Sequence, residues 1–167
     1  MTIECKLDAK TFKTFTRFDI LKRKKYWKSP VIFAVLMDIS ALICFFMNSV
    51  RGAVLLGCVL ACIGTGMPIL YFTTFFSSLN KTTKLQKLDP PRLVYTLELT
   101  EKSDGIGISN GKEKANYKWK DAYHAYKDKN CIYLYITALN AFLLPEKNDE
   151  AWLLITKQMG KERTTVL

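Results

Sequence analysis

The sequence predicts an α+β membrane protein, in which a two-helix transmembrane hairpin precedes a small antiparallel β-barrel or sheet domain capped by a C-terminal helix. Two observations support this fold class. No charged residue occurs from Gly52 to Asn80, although the chain of 167 residues carries a net charge of +10. After Pro91 the apolar residues recur at every second position, which is the period of a half-buried strand.

Residues 1–30 precede the apolar stretches and predict a cytoplasmic strand followed by an amphipathic helix. Ile3, Cys5 and Leu7 alternate with polar residues, and Asp8 is placed to cap a helix. Because these apolar side chains have no other surface to meet, we expect the strand to complete the sheet of the C-terminal domain. An aromatic stripe on the helix packs on its own domain or lies in the membrane interface, and both interpretations stay open. The stripe consists of Phe12, Phe15 and Phe18.

Two apolar stretches, residues 31–50 and 53–76, each have the length of a membrane-spanning helix. Twenty residues of α-helix extend about 30 Å, which is the thickness of the hydrocarbon core of a bilayer. Two core helices of a soluble protein are the alternative, but a chain of this size rarely buries two such stretches back to back. We therefore expect a multi-pass protein of the cell membrane, with residues 51–52 as a short external loop and residues 77–91 as a linker.

Lysine and arginine residues flank the two spans unequally. Residues 1–30 contain nine of these cations against three acids, whereas only Arg51 lies between the spans. By the positive-inside rule we expect both termini in the cytoplasm. The cations just before the first span are placed at the membrane surface, where they are most simply a topology signal; recognition of anionic lipid of the inner leaflet is the alternative. They are Lys22, Arg23, Lys24, Lys25 and Lys28.

Asp38 is the one acidic residue inside a predicted span. Its insertion costs roughly 2.5 to 3.5 kcal/mol, so the first helix is expected to depend on the second. A hairpin that closes near Arg51 places Asp38 opposite Thr65 and beside Gly64, where Thr65 can donate its hydroxyl to the carboxyl group. We therefore predict an intramembrane polar contact of Asp38, Thr65 and Gly64. We consider three interpretations of this acid: a contact that holds the two helices of the hairpin together, a homo-oligomer interface, and an ion or proton path.

Residues 92–167 predict a cytoplasmic domain of short antiparallel strands. Turn signals occur at Ser103–Gly105 and at Asn110–Gly111, where positive φ angles are tolerated. In the strand after Asn130, alternation places the isoleucine and leucine side chains inward and Tyr133 and Tyr135 outward. The predicted strands are Leu93–Thr100, Ile106–Ile108, Ala115–Trp119, Asp121–Lys127, Cys131–Ile136 and Ala141–Leu144.

The last part of the chain predicts one amphipathic helix. Asp149 is placed to cap this helix, Trp152 lies on its inner face, and Gly160 is placed to end it. Trp119 is expected to fill the domain core together with Trp152. Strands followed by one such helix are the order of elements in pleckstrin-homology-like domains, an analogy at the level of the fold that carries no function by itself.

Several segments point to a family. They are LDAKTFKTFTRF near the N-terminus, two spans with a minimal loop, YTLELTEKSDGI, YKW followed by DAY, IYLYI, and FLLPEK. On these segments the chain resembles the YcxB-like family of small bacterial membrane proteins. The resemblance implies a pleckstrin-homology-like C-terminal domain and does not imply an activity.

The motifs of catalysis and cofactor binding are absent from the sequence. There is no P-loop, dinucleotide-binding glycine motif, zinc-protease motif or nucleophile elbow. His124 is the single histidine, and it is expected on the surface or on an edge strand because no second base or nucleophile accompanies it. Five unclustered cysteines indicate a reducing compartment instead of a disulfide framework or a zinc site. We therefore expect no enzyme activity, catalytic residue, metal or cofactor.

The basic charge does not require a nucleic acid, because over half of it flanks the predicted bilayer and the remaining lysines are interleaved with acids. We expect a non-enzymatic, membrane-tethered cytoplasmic interaction or regulatory module of unknown pathway, whose partners are the bilayer, a protein and a second copy. The alternative is an oligomeric ion or proton transport-class protein that uses Asp38. The mutation Asp38→Asn separates the two, because an amide keeps a hydrogen bond but carries no charge.

Overall fold

In the computed structural model of this chain, the described residues fall into two compact units. One unit consists of Met1–Phe12 with Lys87–Leu167, and the other of Lys13–Gln86. Ser103, in a predicted turn, lies outside the described residues. The described residues are 1–47, 49–102, 105–111, 113–145 and 148–167.

One strand and three helices come first in the chain, and most of the strands follow them. A π-helical segment, Phe18–Arg23, follows the first helix, and 3₁₀ turns span Trp119–Asp121 and Lys161–Arg163. In chain order the helices and strands are β1 (Thr2–Leu7), α1 (Ala9–Arg17), α2 (Lys28–Phe46), α3 (Ala53–Leu85), β2 (Arg92–Leu99), β3 (Ile106–Ser109), β4 (Lys114–Tyr117), β5 (His124–Lys127), β6 (Cys131–Tyr135), β7 (Ala141–Pro145), α4 (Asp149–Met159) and β8 (Thr164–Val166).

Sheet A is antiparallel and has the strand order β1-β2-β3-β4. The N-terminal strand β1 pairs with β2, so that Ile3 lies opposite Leu97 and Cys5 opposite Tyr95. The side chains of Cys5 and Leu97 are fully buried in the core. The N-terminal strand therefore completes the sheet as expected, although α1, α2 and α3 all lie between the two strands in the sequence.

Sheet B has the order β7-β6-β5-β8. Its strand β6 is flanked on both sides, and both of its faces are covered. Tyr133 and Tyr135 are consequently fully buried, and the prediction that they point outward is wrong. The terminal strand β8 pairs parallel to β5 and was not predicted. Its β-branched run Thr164-Thr165-Val166 is the sequence signal that could have indicated it.

The C-terminal helix α4 packs one face on the core of this unit. Ala151, Ile155 and Met159 are buried at intervals of one helical turn. The N-cap is Asn148, whose side chain accepts a hydrogen bond from the Ala151 N–H at 3.0 Å, so the prediction of Asp149 as the cap is wrong by one residue. Gly160 ends the helix with φ +78°, as predicted.

The described strands form two separate four-stranded sheets, and their hydrogen-bonded ladders do not close into a barrel. The chain is thus an α+β protein with two long apolar helices, antiparallel sheets and a C-terminal helix.

The second unit is built on the two apolar helices. Lys28–Phe46 and Ala53–Leu85 are long and apolar enough to cross a membrane. The first helix ends four residues before the predicted end of its span. The second continues nine residues past its predicted end, because residues 77–85 lack the glycine and proline that would stop it. Most of the predicted linker is therefore helical.

Candidate functional site

Small residues form the contact between α2 and α3. Ala34 and Ala41 are the buried residues of α2, and Gly57 and Gly64 are buried at the same seven-residue spacing on α3. A Cβ atom at Gly57 would lie 3.2 Å from the Ala41 carbonyl oxygen, and one at Gly64 would lie 3.2 Å from the Ala34 carbonyl oxygen. Glycine at both positions thus permits close approach of the two backbones.

Asp38 lies directly against Gly64. A Cβ atom at Gly64 would overlap the Asp38 Oδ1 atom and would lie 3.1 Å from the Asp38 Cγ atom. Thr65, in contrast, is exposed, and its hydroxyl donates to the Ala61 carbonyl oxygen at 2.9 Å. The prediction that the Thr65 hydroxyl donates a hydrogen bond to the Asp38 carboxyl group is therefore wrong. Because α2 ends at Phe46, the turn is centred before Arg51, and Thr65 is rotated off the contact face.

The position of Asp38 helps to distinguish a contact within the hairpin from an oligomer interface and from an ion path. Its neighbour Gly64 belongs to the same chain, so a close contact of this carboxyl needs no second copy. From Ser29 to Asn80 the sequence offers one other charged residue, Arg51, in the turn at the far end of α2. A carboxyl group seated against a glycine suits helix packing better than it suits a relay, which needs further ionisable groups along its path.

The basic residues before α2 divide into two groups. Arg23 Nε lies 2.6 Å from Asp19 Oδ1, and Lys24 Nζ lies 2.9 Å from Asp19 Oδ2. Asp19 is buried on the π-helical segment, and its carboxylate pairs with both cations, so this cluster keeps one net positive charge. Sequence reasoning missed this acid, although Asp19 and Arg23 have the i, i+4 spacing of a helical ion pair.

The other three predicted surface cations, Lys22, Lys25 and Lys28, are exposed. Within the described part of the chain, none of them forms an ion pair. Lys25 has φ +54°, a left-handed backbone conformation that costs a non-glycine residue roughly 1–2 kcal/mol. These three lysines around the start of α2 therefore carry positive charge that no carboxylate pairs with in the described part of the chain.

The two tryptophans named for the domain core occupy different environments. Trp119 is 3% exposed, and its indole N–H donates to the Thr100 carbonyl oxygen at 2.8 Å. Trp152 is half-buried against the core, and the Lys127 Nζ atom lies 5.7 Å from the centre of its ring. Lys127 also pairs with Asp149 at 2.6 Å. These contacts stabilise the domain.

His124 was expected on the surface or on an edge strand; it lies on β5, an inner strand of sheet B, and its side chain is half-buried, so only the edge-strand alternative is wrong. Its Nε2 atom lies 2.9 Å from the Thr165 hydroxyl on β8, and burial lowers the pKa of the imidazole. In the region that the structure covers, no three His, Cys, Asp or Glu side chains are grouped to hold a metal ion. Burial raises the pKa of the Cys5 and Cys131 thiols to about 12, which suppresses their nucleophilicity.

Comparison with known proteins agrees with the resemblance found in the sequence. The family model described as YcxB-like protein matches residues 102–147, from the β2–β3 connection to the end of β7. No curated protein and no solved structure matches the chain.

Proposed function

We propose that this chain, whose residues 102–147 match YcxB-like proteins, is a non-enzymatic, membrane-anchored interaction or regulatory module of the cytoplasm. In this proposal the hairpin of α2 and α3 crosses the membrane twice, and the unit of sheets A and B presents a binding surface to a protein partner.

The pairing of β1 with β2 is the observation that carries the proposal. The first strand precedes both apolar helices and the second follows them, yet the two exchange backbone hydrogen bonds in one sheet. Strands that pair must lie on the same side of a membrane. A hairpin that crosses twice returns the chain to the side from which it started, so the fold and a double crossing are compatible.

The surface of the hairpin supports its insertion into lipid. Of the 18 consecutive residues that are most apolar in each helix, only 11% are buried. Large apolar side chains instead point outward along the whole length, such as Leu55 at 72% exposure and Ile69 at 66%. Soluble proteins rarely leave an apolar surface of this extent in water, whereas the hydrocarbon core of a bilayer covers it.

The side of the membrane follows from the charges. The lysines before α2, together with Lys81 and Lys84 at the end of α3, lie at one end of the hairpin, and Arg51 lies at the other. This asymmetry favours the cytoplasm for both termini. The free thiols of Cys5 and Cys131 in the core of the sheet unit are consistent with a reducing compartment.

We also propose that the sheet unit is pleckstrin-homology-like. Seven antiparallel strands in two sheets, followed by a helix that packs on their common core, give the element order of such domains. In this chain the hairpin would be an insertion between the first and second strands of the domain. The two sheets are held together without a strand pair between them, because Tyr95 of β2 and Leu143 of β7 join them through hydrogen bonds.

Reporter fusions test the orientation. A fluorescent protein fused after Leu167 should fold and fluoresce, and alkaline phosphatase at the same position should be inactive, because it needs the oxidising side of the membrane. The matched control is a chain cut after Arg51, which should give the opposite result with both reporters. Active phosphatase after Leu167 would refute the cytoplasmic module.

Purification from native membranes in mild detergent then tests for the partner. The full chain should retain a specific protein after chemical crosslinking, while a chain that consists of Lys13–Gln86 should not. Equal recovery with both chains would place the interaction on the hairpin and would remove the sheet unit from the proposal.

A further inference from the structure

A groove opens on the second unit where the basic residues meet the two apolar helices. It has a volume of about 950 Å³, within the range of about 300–1,000 Å³ that small-molecule sites occupy. Its polar end is formed by Lys25, Lys28 and Ser29. Its apolar walls come from the first turns of α2 and from the middle of α3, and include Ile32, Leu36, Met67 and Tyr71.

The polar end of the groove carries free positive charge. Arg23 and Lys24 share an ion pair with Asp19, whereas Lys25 and Lys28 form no ion pair in the described ranges. The groove also opens at the N-terminus of α2, where the helix dipole adds positive potential. This end of the groove is therefore complementary to an anion.

When the hairpin crosses the membrane as proposed, the groove extends from its polar end into the bilayer, parallel to the membrane normal. At a rise of about 1.5 Å per residue, Leu36 lies about 12 Å from Lys28 along α2. The exposed rings of Tyr26 and Trp27 lie beside the lysines, at the level where aromatic residues mark the membrane interface. The groove thus runs from a cationic interface to an apolar interior over the length of part of an acyl chain.

We propose that this groove binds one anionic phospholipid of the inner leaflet. The lipid phosphate accepts hydrogen bonds from the Lys25 and Lys28 ammonium groups and from the Ser29 hydroxyl, and one acyl chain lies along Ile32, Leu36 and Met67. The inference rests on the proposed function for the leaflet, because only a cytoplasmic orientation of Lys25 places the groove there. The binding itself depends on the groove and not on the orientation.

The test uses the full chain, purified in detergent and reconstituted into nanodiscs that contain phosphatidylglycerol or phosphatidylcholine. Native mass spectrometry measures the lipid that stays bound. The double variant Lys25→Gln/Lys28→Gln should bind phosphatidylglycerol at least about tenfold more weakly than the wild type. The matched control Lys22→Gln/Lys81→Gln removes the same charge outside the groove and should bind as the wild type does. Equal weakening in both variants would refute a site and leave only general attraction to a charged surface.

A second pair of variants tests the acyl chain. Leu36→Trp fills the apolar end of the groove and should abolish retention of phosphatidylglycerol, while Leu55→Trp, at an exposed position outside the groove, should not. Equal retention of phosphatidylcholine, or displacement of the lipid by inorganic phosphate at equal affinity, would refute an anionic lipid as the occupant. The midpoint of thermal unfolding in detergent reports whether each variant remains folded.

Failure of this proposal is distinguishable from failure of the proposed function. Phosphatase activity after Leu167 would overturn the cytoplasmic module while leaving lipid retention unchanged. Loss of the difference between the groove variants and their controls would overturn the lipid site while leaving the topology unchanged.

Discussion

The hydroxyl of Tyr95 binds both backbone groups of Leu143. It donates to the Leu143 carbonyl oxygen at 2.9 Å and accepts from the Leu143 N–H at 2.6 Å. Tyr95 belongs to β2 of sheet A and Leu143 to β7 of sheet B, so one side chain connects the sheets where no strand ladder does. Burial raises the pKa of the Tyr95 hydroxyl, which therefore keeps the proton that it donates.

Replacement of Tyr95 by phenylalanine should destabilise the sheet unit by about 1–3 kcal/mol, because two buried backbone groups of Leu143 lose their partner. The matched control is Tyr123→Phe, at a position 52% exposed. The measurement is the urea concentration at the midpoint of unfolding of the full chain in detergent. Unfolding is monitored by alkylation of the buried cysteines. Equal midpoints for Tyr95→Phe and the wild type would contradict the role of this hydroxyl.

The thiols of Cys5 and Cys131 should resist alkylation at about pH 8 in the native protein. Burial raises their pKa to about 12, so the reactive thiolate is scarce and the sulfur atoms are covered. The experiment applies a water-soluble maleimide to a chain in which the three helix cysteines are replaced by alanine: Cys44, Cys58 and Cys62. Labelling should begin only when urea unfolds the sheets, and rapid labelling without urea would contradict the buried core.

A Gly64→Ala change should destabilise the hairpin by about 1–3 kcal/mol, although alanine is normally the better helix former. The added Cβ atom would meet the Asp38 carboxyl group and the Ala34 carbonyl oxygen. Gly66→Ala is the control, because a Cβ atom there meets nothing within 4 Å. Thermal unfolding in detergent should show a lower midpoint for Gly64→Ala alone. Asp38→Ala combined with Gly64→Ala should restore part of the loss.

An Asp38→Asn change should leave assembly and phenotype unaltered. Asparagine has nearly the same shape and can fill the space beside Gly64, but it cannot carry a proton or attract a cation. The measurement is proton or ion flux into liposomes that contain the wild type or the variant, with Ser40→Ala as a control in the same helix. Flux that is present in the wild type and lost in Asp38→Asn would favour the transport-class alternative.

The pH dependence of the stability should include a contribution from His124. Burial lowers the pKa of His124 in the folded chain, whereas the unfolded chain keeps a value of about 6.5. Above about pH 6.5 both states are neutral and the contribution is complete; as the pH falls through this value, the unfolded state binds the proton first and stability is lost. The urea midpoint of the wild type should therefore fall more between about pH 7.5 and pH 5 than that of His124→Gln. Parallel curves would contradict this.

Local sequence patterns were sufficient to predict those elements that are determined by interactions within a few residues. The Asp8 side chain accepts from the Thr11 N–H at 2.8 Å at the start of α1, and Gly160 ends α4, both as predicted. The alternation from Leu93 to Leu99 corresponds to β2, and the two apolar stretches correspond to α2 and α3. Caps, period and hydropathy act within a few residues, so they are visible in the sequence without its partners.

Contacts between distant residues were decided by the tertiary structure. Alternation correctly indicated that β6 is a strand, but only the strands on either side of it determine that Tyr133 and Tyr135 are covered. The partner of Asp38 depends on where the turn after α2 lies, because a shift of a few residues rotates a different side of α3 toward α2. β8 forms because α4 returns the end of the chain to the free edge of β5.

The sequence by itself determined that this chain has two apolar helices, a basic N-terminal segment and a strand-rich C-terminal part, because composition and period encode them directly. Only the tertiary structure showed that Asp19 is buried and pairs with Lys24 as well as with Arg23, and that Lys25 and Lys28 line the groove without an ion pair. A charge count weighs every lysine equally. Which of them remain available depends on the three-dimensional position of one buried carboxylate.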